Sequence, residues 1–142
     1  MTGPDLTPDL AALLPDEHRR LLVGGRWRDA EDGATFTVHD PADGSVLTRV
    51  ADASVGDAVE ALDAAVAAQP AWAATPPRER GEILRRAFEM IADRADDLAM
   101  LMSLEMGKTV KEAKGEVGYG NEFFRWYSEE AVRIHGRWMQ AP

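Results

Sequence analysis

Between Leu21 and Val50 the apolar residues fall in short runs interrupted by turn formers. Leu21-Leu22-Val23 and Arg26-Trp27-Arg28 flank Gly24-Gly25, and two β-prone runs joined by a glycine pair predict a hairpin. Thr35–His39 and Ser45–Val50 flank Asp40-Pro41-Ala42-Asp43-Gly44, whose proline and Asp-Gly pair predict a second antiparallel strand pair. Ahead of these, residues 1–20 read as a loosely ordered leader. Pro4, Pro8 and Pro15 punctuate it, with one short helix around Asp9 to Leu14.

The period changes at Ser54. Ser54 can cap a helix, with Asp57 in the place of a capping-box acid. Val55, Val59, Leu62 and Val66 then recur at helical spacing, with Glu60 and Asp63 on the other side. Pro70 is expected to end that helix and Trp72 to dock from the connection onto the core. Thr75 with Pro76 reads as an N-cap followed by proline at the first helical position. The stripe Leu84, Phe88, Ile91, Ala95, Leu98 and Met102 follows, stopped by Gly107, with a break near Asp93–Asp97 that divides it into two helices. The last helix is expected from about Val110 to Ile134, with Gly136 as its stop. Gly115, Gly118 and Gly120 weaken its first half, at about 1 kcal/mol each against alanine.

Composition narrows the function classes. At 142 residues the chain has room for one modest core. Its net charge of −9 argues against nucleic acid, which needs clustered Lys and Arg to release counterions. No basic patch suits a membrane surface, and no stretch approaches the roughly 20 apolar residues of a membrane span. There is no cysteine, so thiolate chemistry and disulfides cannot come from this chain. The first residues lack a basic n-region and an apolar h-region, so the cytoplasm is the expected compartment.

Few side chains invite a chemical role. His18, His39 and His135 stand apart, without metal-ligand spacing. Glu112, Glu116, Glu129 and Glu130 read as a solvated helix face. Gly115, Gly118 and Gly120 lie inside a helical run and follow no strand, so they fail the context of a phosphate loop and read as close helix packing. The aromatic residues Tyr119, Phe123, Phe124, Trp126 and Tyr127 read as core ahead of ligand wall. Glu105 differs. It ends a helix, where a carboxylate opposes the dipole and calls for Lys108, an arginine, a bound cation or simple exposure.

Several pieces in order resemble the N-terminal region of the NAD(P)-dependent aldehyde dehydrogenase superfamily. They are Val23-Gly24-Gly25-Arg26-Trp27, Asp40-Pro41-Ala42-Asp43-Gly44, Ala67-Ala68-Gln69-Pro70-Ala71-Trp72, and Arg78-Glu79-Arg80 with Ile83-Leu84-Arg85-Arg86. Leu104-Glu105-Met106-Gly107-Lys108 and Glu112-Ala113-Lys114-Gly115-Glu116-Val117 complete the set. The run Phe123–Ala131 is similar to the succinate-semialdehyde dehydrogenase branch. Asp40 stands where the family usually has Asn, which leaves the turn intact.

The resemblance implies an α+β segment, two antiparallel strand pairs followed by three or four helices, from the α/β fold of that family. Residues 21–142 would be the incomplete N-terminal part of its nucleotide-binding domain, without the Rossmann-type sheet or catalytic domain. The implied chemistry is cysteine attack on an aldehyde, hydride transfer to NAD or NADP, and hydrolysis of the thioester by glutamate-activated water. An asparagine amide and a backbone amide hold the oxyanion. None of these groups can be placed here, since the one asparagine, Asn121, lies inside the last helix. The chain is therefore expected to be inactive alone and to need the remainder of a subunit that forms a homo-oligomer. Alternatives are a non-catalytic binding or assembly module, a structural remnant of a truncated gene, or half of a split enzyme. By position, the resemblance assigns Glu105 and the carbonyls of Val38 and His39 to a monovalent cation, Na+ or K+. It also places Tyr119 and Phe123 at the mouth of the substrate tunnel.

Overall fold

The computed structural model describes residues 10–136. Of the expected leader at residues 1–20, positions 1–9 lie outside the described residues, as does the chain end at Pro142. Helix α1 (Leu10–Leu13) and a 3-10 turn (Asp16–Arg19) precede β1 (Leu21–Val23) and β2 (Arg26–Arg28). The two strands pair antiparallel, Leu22 opposite Trp27. Gly24 and Gly25 both take positive φ, 57° and 78°, the primed turn that matches strand twist. Strands β3 (Thr35–His39) and β4 (Val46–Ala51) form the second antiparallel pair, with a bulge at Val38/His39.

Four long helices follow: α2 (Val55–Ala74), α3 (Pro77–Asp93), α4 (Ala95–Met106) and α5 (Val110–Glu130). The α+β arrangement of two strand pairs and then helices is as expected, and so is the break between α3 and α4, at Arg94 with φ −110° and ψ 18°. Gly107 closes α4 in the left-handed region at φ 73°. Both α2 and α5 begin with capping boxes, Ser54 with Asp57 and Thr109 with Glu112. The second box was not read from the sequence.

Three helix limits differ from expectation. Pro70 does not end α2, which continues to Ala74. The helix surface around Pro70 is exposed, so water can satisfy the carbonyl that proline leaves without a donor. Trp72 therefore lies inside α2, 46% exposed rather than docked. Thr75 caps no following helix; its Oγ1 donates to Ala71 O at 3.0 Å and closes α2. Pro76 holds Thr75 in the extended region, and Pro77 takes the first position of α3. Helix α5 stops at Glu130 rather than Ile134. Val132 and Ile134 are β-branched and exposed, so no packing holds another turn.

The core lies where α3 and α4 pack on α5. Ala99 and Ala113 are fully enclosed, Val117 nearly so, and Ile91, Ala95, Leu98 and Met102 pack around them. This is the expected stripe, now facing α5. Gly81 marks the close approach of α3 to α5: a Cβ there would stand 2.7 Å from Ser128 O. Gly115, Gly118 and Gly120 have open space instead, so close packing is not their role.

Candidate functional site

The end of α4 and the second strand pair share one cavity of about 190 Å³. Leu10, His18, Val38, Thr48, Leu101 and Glu105 are among its walls. Glu105 lies in the last turn of α4, which Gly107 closes so near the β3–β4 turn that a Cβ on Gly107 would stand 2.9 Å from Pro41 Cγ. The structure thus brings Glu105 and Val38 together. His39 does not line the cavity; its Nδ1 lies 3.1 Å from Gly44 O, within the turn. Lys108 does not pair with Glu105. Its Nζ lies 2.6 Å from Glu116 Oε1.

A second candidate surface runs along α5. Tyr119 and Phe123, one turn apart, meet edge to face at 5.2 Å. With Glu122, Trp126 and Tyr127 they line a cavity of about 320 Å³. Tyr119 is 71% exposed, Phe123 47%, and Trp126 64%, so the reading of these aromatics as core is not met in this chain. The α5 core contacts are made by its small side chains, Ala113 and Val117, on the opposite face. An exposed aromatic row beside a cavity is what a binding wall requires.

The remaining candidates take ordinary parts. His18 stacks against Trp27 at 5.0 Å. Glu116 and Glu130 pair with Lys108 and Arg133. The Glu112 carboxyl is held below its usual range, first by the Thr109 hydroxyl and then by the Thr109 backbone. Sequence reasoning took Asp57 only as a cap and missed its larger network. Its carboxylate accepts from Ser54 N at 2.8 Å, from Arg28 Nη1 at 2.6 Å and from Glu31 N at 3.2 Å, with 2% of the residue exposed. Arg28 Nη2 also reaches Glu60 Oε2 at 2.7 Å.

Comparison with known proteins places this geometry in context. The pattern of the "Aldehyde dehydrogenase family" matches residues 27–142. The chain is 57% identical over 97 residues to a succinate-semialdehyde dehydrogenase of Paenarthrobacter nicotinovorans, across 68% of this chain and 22% of that protein. It is 44% identical over 118 residues to a glutarate-semialdehyde dehydrogenase of Pseudomonas putida, across 83% of this chain and 25% of that protein. Among solved structures, an aldehyde dehydrogenase from Brucella melitensis biovar abortus superposes with a TM-score of 0.86 at 46% identity, covering 92% of this chain and 26% of that one. The chain thus spans about a quarter of the length of the relatives it matches.

Proposed function

The chain belongs to the aldehyde dehydrogenase family, and on that premise we propose that it is the leading portion of an NAD- or NADP-dependent subunit that oxidises succinate semialdehyde to the acid. Residues 21–142 are then the N-terminal part of the nucleotide-binding domain. The observation that carries the substrate is the 57% identity with a protein of that specificity. Glutarate semialdehyde, one methylene longer, is the second reading, favoured by the 44% identity across a longer stretch. A pocket gains or loses only about 1–3 kcal/mol per methylene, so the two substrates are close competitors.

In this reading the chain's own residues bind and shape rather than react. Tyr119 and Phe123 form a rigid apolar wall at the tunnel mouth, and their edge-to-face contact fixes both rings. Glu105 and the carbonyls of Val38 and His39 hold Na+ or K+. The donor set is all oxygen, as hard cations require, and the cavity walled by Glu105 and Val38 supports it. Such an ion would neutralise the carboxylate at the α4 end. The thiolate and the general base come from the remainder of the subunit, since this chain has no cysteine. The subunit works as a homo-oligomer in the cytoplasm. No helix of the described residues is long and apolar enough to cross a membrane.

The test compares two purified proteins, the 142-residue chain and the polypeptide with its natural continuation. Reduced-cofactor absorbance is followed with succinate and glutarate semialdehydes, each with NAD+ and NADP+. The longer protein should turn over succinate semialdehyde with the higher kcat/KM and the short one should be silent. Turnover by the short chain, or none by the long one, would refute the reading.

A further inference from the structure

Four basic side chains are half-buried among the described residues: Arg19, Arg28, Arg80 and Lys108. Three have a carboxylate partner: Arg19 with Asp16 at 3.0 Å, Arg28 with Asp57 at 2.6 Å, and Lys108 with Glu116 at 2.6 Å. Arg80 has none among the described residues, although acids outnumber bases by 25 to 16 in the chain. Its Nε–H is buried and meets no acceptor among the described residues, as is also true of the Nε–H of Arg19 and Arg28, so the missing carboxylate is what sets Arg80 apart. A guanidinium partly withdrawn from water without a counter-charge carries a cost, whereas exposed Arg78 and Arg86 need no partner.

Arg80 lines a cavity of about 470 Å³ between the start of α3 and the end of α5. Trp72, Leu84, Trp126, Tyr127 and Ile134 supply its apolar walls. Glu130 is also in the wall, but it is committed to Arg133 at 2.9 Å. Trp72 is 46% exposed, Trp126 64% and Ile134 78%, so exposed apolar surface stands beside a cation that has no carboxylate partner among the described residues. Planar, always charged and fork-shaped, a guanidinium suits a carboxylate received bidentately.

We propose that this cavity is a docking socket for a carboxylate side chain, flanked by apolar residues, that the remainder of the subunit inserts against Arg80. The charge complementarity names the occupant's chemistry. Its origin rests on the functional reading above, in which relatives are about three times as long as this chain. The apolar walls exclude water from the pair and so strengthen it. The socket then sets how the leading segment sits on the domain that carries the chemistry.

The test uses the intact subunit and converts Arg80→Lys, which places a primary amine in the socket. A carbodiimide activates carboxylates, and an amine in contact displaces the urea to leave an amide, which peptide mass spectrometry locates. The expected cross-link joins the residue-80 peptide to an Asp or Glu peptide beyond residue 142, within one subunit. Arg80→Gln should also lower the Tm by about 5 °C or more, while Arg78→Gln leaves it in place. A cross-link to Glu130, or one between isotopically distinct subunits, would overturn the socket. So would no cross-link with Arg80→Gln behaving like Arg78→Gln. Semialdehyde oxidation by the unaltered subunit is read in the same preparations. Its absence defeats the functional reading and leaves the socket to be judged by the cross-link.

Discussion

Arg28 Nη1 and Asp57 Oδ1 stand 2.6 Å apart and tie the second strand of the first hairpin to the first turn of α2. Among the described residues little else holds α2 in place, because Val55, Val59, Leu62 and Val66 are all exposed. One carboxylate does three tasks: it closes the capping box, neutralises Arg28 and accepts from Glu31 N. Asp57→Asn keeps the shape and removes the charge. It should lower the Tm more than Asp63→Asn on the exposed side of the same helix, as thermal unfolding by circular dichroism would register.

The same residue sets an acid limit. The Ser54 N–H first, and then the Arg28 guanidinium, hold the Asp57 carboxyl well below the usual carboxylate range. Its folded-state value is depressed, so its contribution is fully present above the unfolded value. The contribution is lost as pH falls through the folded one. Stability of the chain should therefore decline as pH drops below about 4, and Asp57→Asn should flatten that decline. Urea midpoints measured from pH 6 down to 3 decide it; parallel curves would dismiss the linkage.

Glycines separate packing from propensity. Gly81→Ala places a methyl group 2.7 Å from Ser128 O, so α3 must move off α5. A cost of about 1–3 kcal/mol is expected. Gly115→Ala meets nothing within 4 Å, inside a helix, and should stabilise by about 0.5–1 kcal/mol. Denaturant titration of both variants reads the two signs, and equal effects would contradict this division of roles.

Those glycines also mark what the sequence could disclose. Local signals were legible: the Gly24-Gly25 hairpin, the Ser54–Asp57 box, the α3–α4 break and the Gly107 stop all follow from backbone chemistry within a few residues. Signals that depend on what lies across a gap were not. The Val55–Val66 stripe has helical period, yet nothing among the described residues covers it. Gly81 looked unremarkable in sequence because only the distant Ser128 gives it meaning. Asp57 announced itself as a cap, while its partner Arg28 is 29 positions away. Of the candidate site, the pairing of Tyr119 with Phe123 followed from their one-turn spacing, and the meeting of Glu105 with Val38 needed the family resemblance.

The exposed α2 face has a measurable consequence. Leu62 is 63% exposed and Val66 59%, within a row that a larger assembly would cover. The chain alone should bind an apolar dye and associate as its concentration rises. Leu62→Lys should suppress both, with stability changed by no more than about 0.5 kcal/mol. A monomer without dye binding across a concentration series would count against the idea.

The proposed cation site makes the most specific demand. Glu105 sits in the last turn of α4, where the carbonyl ends of the helix already concentrate negative charge. Lys108, the nearest candidate to offset it, is occupied by Glu116 at 2.6 Å. Val38 shares a cavity with Glu105, and the bulge at Val38/His39 interrupts the ladder that would otherwise hold the strand carbonyls. The lining is otherwise mostly leucine and valine, so the proposed site rests on the Glu105 carboxylate together with backbone carbonyls of the strand. In the intact subunit, Na+ or K+ should therefore raise the Tm above that seen with an equal concentration of tetramethylammonium, whose methyl groups bar direct coordination by oxygen. Glu105→Gln should abolish the difference between ions while leaving the general effect of ionic strength. Glu60→Gln, in the distant Arg28 network, should keep the difference. If the ion-specific increment survives in Glu105→Gln, the carboxylate holds no cation and its position at the helix end is tolerated by exposure alone.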